Sequence, residues 1–275
     1  TKTTLVTVVL VLAVLGRLRA LPRARLPLLR KVTAAEAGLL AVVLVLTAAL
    51  TNLGPPVLGP PPLDEPVAWA AGLAGSLTVS VAAGDDQLQV QVFGPSGGID
   101  GAQIHASARL AGDRTVNLRP RSCGAGCFTQ QLVLPAGVTS IAIDAEAPDW
   151  AGGRFEGRLV WPPAPTDPQL LRDLVERMRD VAELELVERV SSGPEATSDT
   201  VATLTGEAFL EAIPYGAGEA VAVRPVRGEP GAIEFRMLAA RMWFTIWLDD
   251  HGRVREQRLV NPGHEIHHRV RYPAG

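Results

Sequence analysis

Three of the five histidines in this chain lie close together near its end, at His264, His267 and His268. Imidazole is a good ligand for copper, so this cluster is the first candidate for a metal site. If the segment is a strand, His264 and His268 lie on one face and His267 on the other, because side chains alternate along a strand. The residues that could complete a two-histidine site are His251, Met237 and Met242. The alternative, which we favour, is a set of solvated histidines on an edge strand.

The two cysteines, Cys123 and Cys127, lie in the segment RSCGAGCF. A close pair outside the cytoplasm usually forms a disulfide, and the glycines between them give the backbone the freedom to close a small ring. We therefore predict a disulfide. Binding of Cu(I) by the two thiolates is the functional alternative, and two free thiols are the third. The spacing excludes a redox-active C-x-x-C motif.

No motif in the sequence carries a recognisable catalytic function. There is no glycine-rich phosphate loop, no H-E-x-x-H zinc-protease motif and no G-x-S-x-G nucleophile elbow. Ser191 and Ser192 lie in a predicted turn with nothing to activate a hydroxyl. We therefore predict that the chain is not an enzyme.

The longest apolar stretch runs from residue 32 to 53 and contains no charged side chain after Glu36. About 20 helical residues at ~1.5 Å each cross a bilayer core of roughly 30 Å, so this stretch predicts a transmembrane helix. A helix buried in a soluble domain is the alternative. A shorter run at 3–16 is interpreted as the end of a longer helix. Residues 1–54 are therefore predicted to form a helical transmembrane hairpin, truncated at its N-terminus.

The loop between the two apolar runs contains six arginine and lysine residues and no acidic residue. Short loops of this kind stay in the cytoplasm, so the residues after about 54 are predicted to be extracytoplasmic. The lipid bilayer is the expected partner of this hairpin. Nucleic acid is excluded, because the net charge of −3 leaves no basic patch elsewhere.

Residues 55–75 begin with a proline-rich tract that predicts a semi-rigid linker. Trp69, near its end, contacts a membrane interface or, as we favour, packs against the next domain. From residue 76 to 161 apolar and polar residues alternate in short runs separated by turns. This spacing predicts an all-β immunoglobulin-like sandwich of about seven antiparallel strands. His105 falls on a polar strand face, where we expect an exposed side chain rather than a metal ligand.

Residues 162–275 are predicted to form an α+β domain. Asp167 and Pro168 mark the start of an amphipathic helix with one apolar stripe. Eight alternating runs follow, including one at Glu207–Ile213, and predict a long antiparallel sheet. One helix on such a curved sheet can enclose an apolar groove. The residues expected to line this groove are Trp243, Phe244 and Trp247.

The membrane segment resembles a known family. The sequence R-L-R-A-L-P at 17–22, the basic loop, Glu36 and Thr47 are similar to the last two membrane helices of the CopD family of bacterial copper transport and resistance proteins. The resemblance covers about 55 residues. It implies a location in the bacterial cytoplasmic membrane, with the other helices of a CopD-like membrane domain as partners.

A second resemblance concerns the end of the chain. The sequence M-W-F-T-I-W-L-D-D-H-G-R-V at 242–254, with P-G-H at 262–264, resembles a C-terminal domain often appended to CopD-like proteins. That domain is similar in outline to the half-barrel of LolA-like lipoprotein carriers. The chain departs from the pattern at Ile266, where a methionine is expected, and in residues 206–229, which lack the family's tryptophan-containing repeat.

Two functions follow as hypotheses. In the first, the chain is a membrane-anchored protein of copper transport or resistance. Its outer domains bind or present copper through His264, His268 and His251, and its partner is a copper-carrying protein. In the second, the chain is a membrane-tethered extracytoplasmic binding module. Its groove holds an apolar ligand or a partner protein, and copper plays no part.

Overall fold

The computed structural model of the chain describes residues 63–193, 199–212, 220–238 and 240–273. These residues form two helices, α1 (Gln169–Arg179) and α2 (Gly206–Ala212). The strands are β1 (Ala68–Ala74), β2 (Leu77–Ala83), β3 (Gln87–Gly94), β4 (Gly97–Gly98), β5 (Gln103–Arg109), β6 (Thr115–Leu118), β7 (Arg121–Gly124), β8 (Cys127–Gln131), β9 (Gly137–Ala147), β10 (Trp150–Trp161), β11 (Leu184–Ser191), β12 (Thr200–Leu204), β13 (Val221–Pro225), β14 (Ala232–Met237), β15 (Met242–Leu248), β16 (Val254–Asn261) and β17 (His264–Arg271).

The fold prediction needs correction, because the described part of the chain is mostly β-sheet. Neither α1 nor α2, nor any other helix in the described ranges, is long and apolar enough to cross a membrane. The predicted transmembrane hairpin, residues 1–54, lies outside the described residues. The membrane anchor and the location derived from it therefore have no support in the described structure.

The first ten strands form two sheets. One sheet has the order β1-β2-β3-β8-β7, with β4 paired to β3, and the other has the order β10-β9-β5-β6. Alternate residues of both sheets point inward and form one core, with fully buried residues such as Val79, Val90, Ile143 and Leu159. Residues 76–161, predicted to form about seven strands, contain nine, β2 to β10. A tenth strand of the sandwich, β1, lies within the segment predicted as a linker.

The remaining strands form one antiparallel sheet of seven, in the order β12-β11-β17-β16-β15-β14-β13. Its odd and even residues face opposite sides, as the pleat of a strand requires. One face carries the second apolar core, which includes Phe235, Phe244 and Ile246 of the sheet. Helix α1 covers this core with Leu171, Leu174 and Met178.

Two helices, α1 and α2, contribute to the core on this sheet, whereas one helix was predicted. The expected half-barrel with one helix is therefore wrong. Residues 207–212 of the predicted strand at 207–213 instead belong to α2, and Ile213 lies outside the described residues. The Thr205 hydroxyl accepts a hydrogen bond from the Ala208 amide and caps the N-terminus of α2, as threonine often does. Phe209 is fully buried in the same core as α1. The apolar residues whose alternation suggested a strand thus lie on the buried side of a short capped helix.

The sandwich and the seven-stranded sheet contact each other directly. The Thr78 hydroxyl of β2 donates a hydrogen bond to the Asn261 carbonyl (3.0 Å) and accepts one from the Gly263 amide (2.8 Å). The rings of Phe93 and Trp243 lie 6.0 Å apart across the same junction. The helix-free face of the sheet therefore meets the sandwich at one end, and the space beside this contact forms a cleft.

Candidate ligand-binding cleft

The floor of the cleft is the helix-free face of β15. Trp243, Thr245 and Trp247 alternate along this strand and point to the same side, while Phe244 and Ile246 point into the core. All three floor residues are half-buried. The cavity above them measures about 310 Å³. This volume lies at the lower end of the range of roughly 300–1,000 Å³ for small-molecule sites.

The opposite wall of the cleft comes from β1 and β10 of the sandwich, through Trp69–Ala71 and Phe155–Arg158. Phe155 is buried between two glycines, Gly72 and Gly157. A Cβ atom at either glycine would lie 2.9 Å or less from the Phe155 ring, closer than carbon atoms approach in folded proteins. The two glycines therefore allow β1 and β10 to pack around this ring and shape the wall.

A buried aromatic and ionic cluster fixes one end of the cleft. The Trp69 ring lies against two guanidinium groups, 3.5 Å from Arg224 and 4.3 Å from Arg236. Arg224 donates hydrogen bonds to the Glu234 carboxylate and to the Val67 carbonyl, both at 2.7 Å. This cluster connects β1 of the sandwich to β13 and β14 of the sheet. Cation–π contacts are strongest where water is excluded, as it is here.

Burial shifts the pKa values of the charged groups in this cluster. Desolvation lowers the pKa of Arg224 and of Arg236, and it raises the pKa of Glu234. The opposite charges counteract this effect, since each guanidinium is paired: Arg224 with Glu234, and Arg236 with Glu65 at 2.8 Å. Removing one partner from such a buried pair leaves an uncompensated charge, which is strongly destabilising.

A third ion pair lies beside the floor of the cleft. Arg258, opposite Thr245 on β16, donates two hydrogen bonds to Glu265, at 2.8 and 3.0 Å, and one to the Ala71 carbonyl of β1. Burial alone would raise the pKa of Glu265, but hydrogen bonds from His267 and Arg258 outweigh burial and lower it to about 2. Arg258 is thus hydrogen-bonded both to the sandwich, through Ala71, and to the seven-stranded sheet, through Glu265.

The remaining polar groups of the cleft lie at its rim. The Trp247 indole N–H donates a hydrogen bond to Glu229 at 3.0 Å, which fixes the orientation of the indole ring. Arg158 and Arg227 also line the cleft, and within the described residues neither forms an ion pair. The cleft is therefore aromatic at its floor and polar at its edge.

The groove was predicted between the helix and the sheet, whereas the cleft lies on the helix-free face. Two of the three residues predicted for the groove nevertheless line the cleft with exposed area. Trp243 and Trp247 do so, as the alternation on β15 indicates. Phe244 borders the cavity, but its ring is 1 % exposed and stacks on Phe235 with centroids 4.5 Å apart. Phe244 therefore belongs to the core beneath the sheet. The groove is also less apolar than the sequence indicates, because arginine and glutamate side chains form its rim.

The predicted copper ligands do not meet in the described structure. His264 pairs with Asn261 at one end of β16, whereas His251 precedes Val254 at the other end. These ends, Val254 and Asn261, are seven residue steps apart, which corresponds to roughly 23 Å. His268 is 3 % exposed, and its ring hydrogen-bonds Gln257 and Glu188.

The other candidate metal ligands are also dispersed. The His264 ring hydrogen-bonds the Ser192 hydroxyl at 2.7 Å, and Met237 lies in the core beneath the sheet. His105 is exposed on β5 of the sandwich. Within the described ranges, no group of three or more His, Cys, Asp or Glu side chains is placed to hold a metal ion. The expected metal-binding site therefore has no support in this part of the chain.

Cys123 and Cys127 form a disulfide, as predicted, with their Cα atoms 5.0 Å apart. The bond closes the β7–β8 hairpin at the edge of the larger sandwich sheet. Gly126, inside the loop, has a φ of +61°, and a Cβ there would overlap the Val92 carbonyl oxygen. A glycine is needed at this position for both reasons.

No family model, curated protein or solved structure matches the chain. The resemblance to CopD and LolA-like proteins therefore stays a prediction. The sequence also gave no sign that Trp69 would lie against Arg224 and Arg236. These residues are separated by more than 150 positions, and only the pairing of distant strands brings them together. A tryptophan near the start of a domain, with arginines on predicted strands, is too common a pattern to indicate such a cluster.

Proposed function

We propose that this protein is a binding module whose cleft holds a small ligand with a flat, apolar body. The observation that carries the proposal is the pair of tryptophans, Trp243 and Trp247, half-buried on one face of β15 at the floor of the cleft. An indole ring offers a large contact area and loses little conformational freedom on binding. Two of them, two residues apart, form a floor for an aromatic or alicyclic ring system.

The rim of the cleft favours a ligand that also carries polar groups. Thr245 offers a hydroxyl between the two indole rings, and Glu229 and Arg227 stand at the edge. A purely apolar ligand would leave Thr245 and Arg227 desolvated without partners, which costs binding free energy. The ligand class is therefore amphipathic, with its ring on the tryptophans and its polar groups toward the rim.

The walls of the cleft support binding because they are already ordered. The Trp69 cluster fixes one end, and the bonds from Arg258 to Ala71 and Glu265 fix the side. A preformed site avoids the free-energy cost of ordering side chains when the ligand binds. The same contacts also hold the sandwich and the seven-stranded sheet in position around the cleft.

The test uses the fluorescent probe N-phenyl-1-naphthylamine, in which a secondary amine joins two flat aromatic groups, a naphthyl and a phenyl. Thr245→Trp fills the cleft floor with a large ring and removes no contact between the domains. Thr203→Trp makes the same chemical change at an exposed position of β12, far from the cleft, and serves as the matched control. Trp247→Ala removes half of the aromatic floor.

We expect probe emission to rise on addition of the parent protein, with energy transfer from tryptophan to the probe. Thr245→Trp and Trp247→Ala should each weaken binding by about tenfold or more, equivalent to ~1.4 kcal/mol. Thr203→Trp should bind like the parent. Binding that is unchanged in Thr245→Trp, or the absence of probe binding by the parent, would refute the proposal.

A further inference from the structure

The outer face of the smaller sandwich sheet carries a second concave site, on the side of β10 away from the sandwich core. Its volume is 440 Å³, and it is lined by residues of four strands, β5, β6, β9 and β10. Strand register places Thr115, Arg109, Ser140 and Arg158 in one row across these strands: Thr115 opposite Arg109, Arg109 opposite Ser140, and Ser140 opposite Arg158. All four side chains are exposed.

The two arginines of this row have no acidic partner among the described residues. Neither Arg109 nor Arg158 forms an ion pair with any residue in the described ranges, although Glu156 lies two residues from Arg158 on the same face. Glu156 is engaged elsewhere, since its carboxylate accepts a hydrogen bond from Arg154 at 2.9 Å. Arg154 also forms an ion pair with Asp144, in which a guanidinium nitrogen lies 3.3 Å from a carboxylate oxygen. The acids of this face are therefore concentrated around one arginine, and the other two are left available.

The spacing of the row suits an anion held between the arginines. Arg109 and Arg158 flank Ser140 on neighbouring strands, so their backbones lie two strand spacings apart, or roughly 9.6 Å. Long arginine side chains on either side of a serine can turn inward over it. Two like charges so placed repel each other, and a bound anion removes that repulsion.

We propose that this row is a binding site for a phosphate group. The proposal does not depend on the function proposed for the cleft, although Arg158 lies at the boundary of both sites. The planar guanidinium group presents parallel N–H donors that match the oxygens of a phosphate in a bidentate manner. The hydroxyls of Ser140 and Thr115 supply two further donors from the floor of the site. A dianionic phosphate compensates both arginines, which a monoanionic carboxylate does not.

The experiment titrates the full chain with inorganic phosphate at about pH 8, where phosphate is a dianion. It is carried out at low ionic strength, about 0.01 M, so that the charges are not screened. Binding is followed by calorimetry and by the competing effect of acetate, a planar monoanion. The test variant is Arg109→Gln/Arg158→Gln. The control, Arg172→Gln/Arg255→Gln, removes the same two charges from exposed positions of α1 and β16.

We expect the parent and the control to bind phosphate equally, and acetate to compete poorly. The double variant should bind at least about tenfold more weakly, because both bidentate contacts are lost. A further variant, Ser140→Asp, keeps both arginines but places a carboxylate between them, and it should also abolish phosphate binding. The proposal is overturned if the parent binds no phosphate, if the control loses as much affinity as the double variant, or if Ser140→Asp binds normally.

The same titration separates two sources of the phosphate group. Vesicles that contain phosphatidic acid present it on a membrane, and glycerol 3-phosphate presents it in solution. Binding of glycerol 3-phosphate that depends on Arg109 and Arg158 supports a soluble ligand. Binding of vesicles alone, with no response to glycerol 3-phosphate or inorganic phosphate, refutes a site specific for the phosphate group. Arg158 also lines the rim of the cleft, so the variants are titrated with N-phenyl-1-naphthylamine as well. Arg109→Gln alone changes no residue of the cleft, and it should weaken phosphate binding while leaving probe binding unchanged.

Discussion

Glutamine in place of Glu265 should remove a specific part of the acid sensitivity of this protein. Glu265 is 17 % exposed at its side chain and accepts hydrogen bonds from Arg258 and His267. Burial raises its pKa, but these bonds lower it further, from the ordinary 4.5 to about 2. The folded protein therefore holds this carboxylate in its charged form more strongly than the unfolded chain does.

The magnitude follows from the difference in pKa. A group with a lowered pKa stabilises the fold fully above its unfolded value and loses that stabilisation as the pH falls through the folded value. A shift from 4.5 to about 2 corresponds to ~3 kcal/mol at neutral pH. At about pH 3 the unfolded carboxyl is mostly protonated while the folded one is still mostly charged, so ~2 kcal/mol of this has been lost.

The assay is urea denaturation of the full chain at about pH 6 and about pH 3, for the parent and for Glu265→Gln. The variant should be less stable than the parent at the higher pH. The gap between them should narrow by ~2 kcal/mol at the lower pH, because only the parent loses the contribution of Glu265. Glu146→Gln, an exposed glutamate on β9, is the control and should show no such narrowing.

A gap that stays constant between the two pH values would refute this reasoning. It would mean that the bonds from Arg258 and His267 do not hold Glu265 charged in the folded state. A gap that narrows equally in the Glu146→Gln control would show that a general charge effect is responsible. The double difference between variants isolates one group, since other acids titrate equally in parent and variant.

Two further predictions concern packing and the disulfide. Trp69→Ala should lower the free energy of unfolding by about 3–5 kcal/mol, since it opens a cavity and leaves Arg224 and Arg236 without their aromatic neighbour. Urea denaturation measures this, and a loss below about 1 kcal/mol would show that the Trp69 contacts contribute little. Reduction of the disulfide, or Cys123→Ser/Cys127→Ser, should cost only about 2 kcal/mol, because the closed loop is short. Alkylation of the unreduced protein should modify neither cysteine, and two modified cysteines would count against the bond.

The sequence by itself determined the features that depend on near neighbours along the chain. The alternation of β15 placed Trp243 and Trp247 on one face, and the C-G-A-G-C loop indicated the disulfide that the structure contains. The capped start of α1 near Asp167 and its apolar stripe were also evident. In each case the deciding interactions lie within a few residues, so the local pattern is sufficient.

The tertiary structure decided everything that depends on which strands become neighbours. Strand register placed His251 and His264 at opposite ends of β16, although the sequence allowed them to share a site. The burial of Phe209 selected a helix at α2 where alternation alone suggested a strand. The cleft exists because β1 packs against β10 and the Trp69 cluster connects β1 to the distant sheet. Such contacts join residues far apart in the chain, and their free energy exists only once the strands have paired.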